Sequence, residues 1–162
     1  AVRITQITDS PLIARAIAHS DRVVCCSPEY AQQYGLPAAP EDIEQHKAIC
    51  YSYVYSGHLW QFEPEFPGGP FRNVVLRNAA FSSNNGEAMR DAAIAGGGLA
   101  LLPMFIAAPA LKAGKLINAM PECLPTADQI YLVYPHRRYP SQKVRLLVEY
   151  LTDYFSQHLP WM

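Results

Sequence analysis

The chain has 162 residues, enough for one ordinary domain with a sizeable core. Half of the residues are apolar, 17% are charged and the formal net charge is -1. That composition excludes a disordered chain and argues against one that grips a nucleic-acid backbone by its own charge. Fourteen prolines against nine glycines exclude a coiled coil or a bundle of long helices.

Val2 and Ile4 alternate with polar neighbours and predict a short opening strand. Asp9 or Ser10 followed by Pro11 predicts a helix start, with Leu12, Ile13, Ala16 and Ile17 on one face. Arg22 to Cys26 reads as a buried strand. Ser27-Pro28-Glu29 then supplies a cap, a proline at the first helical position and an acid in the first turn, and Gly35 ends that helix. Pro40 to Gln45 is a second short helix, and Ala48 to Tyr53 a strand. Ser56 to Pro70 is rich in turn residues, with Trp60, Phe62 and Phe66 as apolar anchors. In Phe71 to Arg77 the alternation sets Val74 and Leu76 against Val75 and Arg77, a strand.

Asn84 precedes Glu87 by three residues, the spacing of a capping box, and opens a helix that runs to Ala95. Gly96-Gly97-Gly98 closes it, Leu99 to Leu102 is an apolar strand, and Phe105 to Ala113 is helical up to Gly114. Ala92 to Leu111 carries no charge and is long enough to cross a bilayer, but the glycines, Pro103 and Pro109 break it, so no membrane span is expected. Lys115 to Ala119 and Ile130 to Tyr134 are strands. Val144, Leu147, Val148, Leu151 and Phe155 recur at helical steps after Ser141, an amphipathic helix. Strands alternating with helices predict an α/β fold with a largely parallel sheet.

Catalytic signatures are mostly missing, and Ser52, Ser82 and Ser83 have no evident paired base and read as ordinary polar contacts. There is no G-x-S-x-G elbow, no H-E-x-x-H and no phosphate-binding loop of the Walker type. His19, His46, His58, His136 and His158 are scattered and predict no metal site. Cys25, Cys26, Cys50 and Cys123 form no C-x-x-C pair; they read as reduced structural thiols of a cytoplasmic protein, and Ala1-Val2-Arg3-Ile4 has no signal-peptide pattern. The triple glycine follows a helix and enters a strand, the wrong order for cradling an anion. Phe81-Ser82-Ser83-Asn84-Asn85-Gly86 has the right order, strand to helix, with hydroxyls and amides that could hold a carboxylate. Simple helix capping explains the same residues, and composition alone favours capping. His136-Arg137-Arg138 reads as a solvated basic turn.

Taken in order, several stretches resemble the carboxy-terminal effector-binding domain of LysR-type transcriptional regulators. They are Ala1-Val2-Arg3-Ile4, Asp9-Ser10, Arg22 through Tyr30, Asn85 through Gly96, Gly98 through Pro103, Gly114-Lys115-Leu116, Tyr134 through Arg138, and Lys143-Val144-Arg145. The resemblance implies an α/β fold like the type 2 periplasmic binding proteins, with the second lobe essentially complete and the first lobe partial. On that pattern residues 1–21 belong to the first lobe and a crossover, 22–128 to the second lobe, and 129–162 to the return crossover and the last helix. The family's DNA-binding domain and the opening elements of its first lobe have no counterpart here, so the chain is expected to be a fragment of a longer regulator.

The resemblance also implies an effector-facing set: Thr5, Thr8, Ser52, Tyr53, Ser83, Asn84, Asn85 and Pro103. A small organic effector such as a carboxylate is the implied ligand, and effector binding would shift the arrangement of the lobes and so transcription. DNA contact would belong to the absent domain. Neither catalysis nor a cofactor, metal or membrane is expected. Exposed apolar surface is expected on the last helix and on Val2 to Ile4, relieved by homo-oligomer formation. The alternatives are a solute-binding protein of a transport system and an α/β hydrolytic enzyme with a Ser or Cys beside a histidine.

Overall fold

The computed structural model describes residues 1–4, 12–52, 58–77, 79–135 and 141–157. They form two compact units. Unit 1 is residues 1–20 with 127–162, and unit 2 is residues 21–126.

Unit 2 is built on a five-stranded sheet of β3 (Arg22–Cys26), β4 (Ala48–Tyr51), β7 (Ala79–Ser83), β8 (Leu99–Pro103) and β9 (Ile117–Asn118). Their spatial order is β7-β4-β8-β3-β9. β4 runs parallel to β7 and β8, whereas β3 runs antiparallel to β8 and β9. The sheet is therefore mixed, not largely parallel: β3 arrives from outside the unit and enters from the opposite end.

Strand alternation sorts the core. Val24, Cys26, Cys50 and Leu99 face one side, with Tyr30 of α1 (Pro28–Tyr34), Ile43 of the 3-10 turn Pro40–Gln45, and Trp60, Phe62 and Val74 of a hairpin. Val23, Cys25, Ile49, Ala100 and Leu102 face the other, under α2 (Gly86–Ile94) and α3 (Met104–Lys112). Cys25 and Cys26 thus serve opposite halves of the core, as small buried hydrophobes. Ser27 caps α1 by accepting the Tyr30 N–H, and Gly35 closes it at φ +77. Gly98 sits at φ +144 where an added Cβ would strike the Lys47 carbonyl oxygen, so this turn into β8 requires glycine.

The hairpin is β5 (Leu59–Phe62) with β6 (Arg72–Val75). Trp60 and Phe62 are buried as expected, but within a strand, and Phe66 is no anchor: it is 61% exposed in the connection. The expected strand 71–77 is shorter, and a separate strand, β7, follows it. Val74 and Leu76 are buried and Val75 is exposed, as the alternation requires. Lys115 to Ala119 contributes only the two-residue β9. Pro109 lies within α3 and does not end it, and Pro103 passes directly from strand to helix.

Unit 1 contains a three-stranded antiparallel sheet in the order β1-β10-β2, with β1 (Val2–Ile4), β2 (Leu12–Ser20) and β10 (Asp128–Pro135). Residues 12–20 are a strand, not the helix expected from Leu12, Ile13, Ala16 and Ile17. The ladder with β10 shifts register between Ile130, opposite Ala18, and Tyr131, opposite Ala16, so Ile17 is the bulged residue. Long antiparallel pairing overrides the helix preference of its alanines. The last helix, α4 (Gln142–Gln157), lies against β2. Ser141 caps it, its Oγ accepting the Val144 N–H at 3.4 Å. Val148 is buried, but Leu147, expected on the same face, is 55% exposed.

Candidate functional site

The parallel trio β7-β4-β8 sends three carboxyl ends to one edge of the unit 2 sheet. Ser52 follows β4, Ser83 ends β7 and leads to Asn84 and Asn85, and Pro103 ends β8. Carboxyl ends of open α/β sheets are where such folds hold ligands. Five of the expected residues, Ser52, Ser83, Asn84, Asn85 and Pro103, thus lie at this edge, and strand register joins two of them: Tyr51 is opposite Ser83, and the Ser52 N–H donates to the Ser83 carbonyl at 3.0 Å. Thr5, Thr8 and Tyr53 lie outside the described residues, as does His136-Arg137-Arg138.

The strand-to-helix turn is knit by its own side chains. Ser83 Oγ accepts the Asn85 N–H at 3.1 Å. Asn85 Oδ1 accepts the N–H groups of Glu87 at 2.8 Å and Ala88 at 3.1 Å, so Asn85 is the cap of α2. The expected cap at Asn84 is off by one residue, because Gly86 takes the first helical position and moves the free N–H groups within reach of Asn85. Two amide donors are thereby spent on the cap. Asn84 is exposed beside it, and the Ser83 hydroxyl, already an acceptor, still has its proton to give. Capping thus uses the Asn85 side chain and leaves that of Asn84 exposed.

An open hollow of about 550 Å³ lies beside this turn, between the first turns of α2 and α3. Asn84, Asn85, Glu87, Arg90, Phe105, Ile106 and Pro109 line it. Arg90 and Phe105 did not stand out in the sequence and Glu87 did so only as the partner of a capping box, although the i, i+3 spacing of Glu87 and Arg90 places both beside the cap. The Arg90 guanidinium pairs with its neighbour Asp91 at 2.8 Å.

His46 Nδ1 faces the Tyr30 hydroxyl at 3.1 Å and not a serine or thiol. Burial pushes the Cys25 thiol up to about 12 and Cys26 to about 11, away from the reactive thiolate. Among the described residues no group of three or more His, Cys, Asp or Glu could hold a metal ion, and no helix is long and apolar enough to cross a membrane.

Comparison with known proteins gives this architecture its class. The model of the LysR substrate binding domain matches residues 1–156, and the chain belongs to that family. It is 30% identical over 159 residues to the HTH-type transcriptional activator TtdR of Escherichia coli K12, covering 98% of this chain and 50% of TtdR. It is 33% identical over 147 residues to an HTH-type transcriptional regulator of Haemophilus influenzae, covering 89% of this chain and 49% of that protein. The chain thus spans about half the length of the curated relatives it matches. Its fold matches full-length AphB, a Vibrio cholerae virulence activator, with a TM-score of 0.76 at 25% identity, covering 95% of this chain and 51% of AphB. The fold is that of the regulatory domains of such proteins, the periplasmic-binding-protein-like α/β type.

Proposed function

We propose that this chain is the effector-binding domain of a LysR-type transcriptional regulator and that the sheet edge of unit 2 supplies a wall of its effector site. The observation that carries this is the convergence of Ser52, Ser83 to Asn85 and Pro103 at the carboxyl ends of three adjacent parallel strands. Thr5, Thr8 and Tyr53 complete the proposed set. The donors of the turn, the half-buried Ser83 hydroxyl and the exposed Asn84 amide, favour an effector rich in acceptors, and a small carboxylate fits best. The domain performs no bond-making. An effector acts by binding one arrangement of the regulator more tightly than another. DNA binding and homo-oligomer formation in a cytoplasmic regulator complete the reading, supported by the transcriptional regulators the chain resembles.

The test is a thermal-shift screen of the chain against short-chain mono-, di- and hydroxycarboxylates, repeated with Ser83→Ala and Asn84→Ala. A ligand at a hundred times its Kd stabilises the folded state by about 2.7 kcal/mol. The reading expects at least one such acid to raise Tm in the wild type and to lose most of that shift in both variants. A shift of equal size in all three proteins places the ligand elsewhere, and a panel without any stabiliser removes the carboxylate assignment.

A further inference from the structure

The chain passes between the two units twice, at Ser20–Asp21 and again at Thr126–Ala127. On the unit 2 side of both passages one side chain joins them. Arg22, the first residue of β3, donates from Nε to the Thr126 carbonyl at 2.7 Å and from Nη2 to the Thr126 hydroxyl oxygen at 2.8 Å. Thr126 is also held from a second direction. Its N–H donates to the Gln61 carbonyl at 2.9 Å, and its hydroxyl donates to the same carbonyl at 3.3 Å. The Glu63 N–H donates to the Leu124 carbonyl at 2.8 Å, and Phe62 forms an antiparallel bridge with Pro125. Residues 124–126 therefore bridge to the β5 edge of the hairpin, and the Arg22 fork lies at the end of that bridge.

We propose that Arg22 is a positioning residue, a yoke that binds the outgoing and returning segments into one joint on unit 2, so that bending of the return passage begins beyond Thr126. Three features favour this over general stabilisation. A guanidinium with two acceptors on one residue fixes orientation as well as distance, which a point charge does not. Charge-assisted bonds of this kind are about twice as strong as neutral ones. The Thr126 hydroxyl accepts from Arg22 while donating to Gln61, so the yoke and the hairpin share an atom. The proposal holds whichever effector the regulator takes.

Residue-resolved amide hydrogen exchange on the chain tests it, comparing wild type with Arg22→Gln, Arg22→Lys and Thr126→Val. Loss of the fork in Arg22→Gln is expected to speed exchange at Glu63 and Thr126 about tenfold or more. The β3–β8 ladder, for example the paired Val23 and Leu102, should keep its protection. Arg22→Lys should restore part of the effect, and Thr126→Val, which keeps the carbonyl but not the hydroxyl, should fall between wild type and Arg22→Gln. Unchanged exchange at Glu63 and Thr126, or acceleration that spreads equally through the β3–β8 ladder, would overturn the yoke. If Arg22→Gln does not fold, Thr126→Val alone decides by the same criterion.

Discussion

The two units differ in how completely they bury what they carry. Unit 2 covers both faces of a five-stranded sheet, and Val24, Cys25, Cys26, Ile49, Cys50, Leu99 and Leu102 are buried in it. Unit 1 presents a three-stranded sheet with one helix among the described residues, and all three residues of β1 are exposed. Leu146, Leu147, Tyr150 and Tyr154 of α4 are exposed as well, and the rings of the two tyrosines stack at 6.3 Å. Unit 2 has the marks of a self-sufficient core. Unit 1 leaves an apolar surface of the kind that partners cover.

Substitution can break this contrast, beginning with its strongest element. Phe62 is a fully buried aromatic, and Phe62→Ala should cost about 3–5 kcal/mol by lost burial and an unfilled cavity. Chemical denaturation should show it as a lowered midpoint. A smaller effect is expected from Asn85→Ala, which removes the acceptor of two helix N–H groups and should cost about 1 kcal/mol. Leu147→Gln and Tyr150→Gln, on exposed positions of α4, should change stability by no more than about 0.5 kcal/mol. These two should instead weaken self-association in sedimentation velocity. Equal destabilisation by the α4 and Phe62 substitutions would erase the contrast between the units.

The smallest effect concerns pH. The Tyr30 hydroxyl accepts the Lys47 N–H at 3.1 Å and shares a hydrogen bond of 3.1 Å with His46 Nδ1. Burial, opposed by Asp42, holds the His46 pKa below its ordinary value of 6.5. A depressed histidine contributes stability above its unfolded pKa and loses it as pH falls through the folded value. Melting temperature should therefore drop as pH is lowered below 6.5, and less steeply in His46→Gln. Parallel pH profiles for the two proteins would assign the acid sensitivity to other groups.

Much of unit 2 was legible in the sequence, because its signals are local. Ser27-Pro28 names a helix start, Gly98 a turn, and Val23 to Cys26 a buried strand with no ambiguity of period. β2 was not legible. Leu12 to Ile17 fits a helical face as readily as a strand, and only pairing with distant β10 decides between them. β7 escaped because Ala79, Ala80, Ser82 and Ser83 carry little strand character, and parallel pairing with β4 makes the strand. Tertiary context likewise exposes Leu147, whereas the cap moves from Asn84 to Asn85 for a local reason, the helix beginning at Gly86. The candidate site was legible as a set of residue types in the right order, whereas the hollow beside α2 needed the packing of α3 to appear.

The central claim is that the edge formed by Ser52, Ser83 to Asn85 and Pro103 faces the effector. The most direct measurement is a two-dimensional amide NMR titration of the chain with the best stabilising carboxylate. The account predicts saturable shifts concentrated at Ser52, Ser83, Asn84, Asn85 and Glu87, with the β9 end of the sheet unmoved. Saturable shifts confined to unit 1 or to the opposite end of the unit 2 sheet would contradict it.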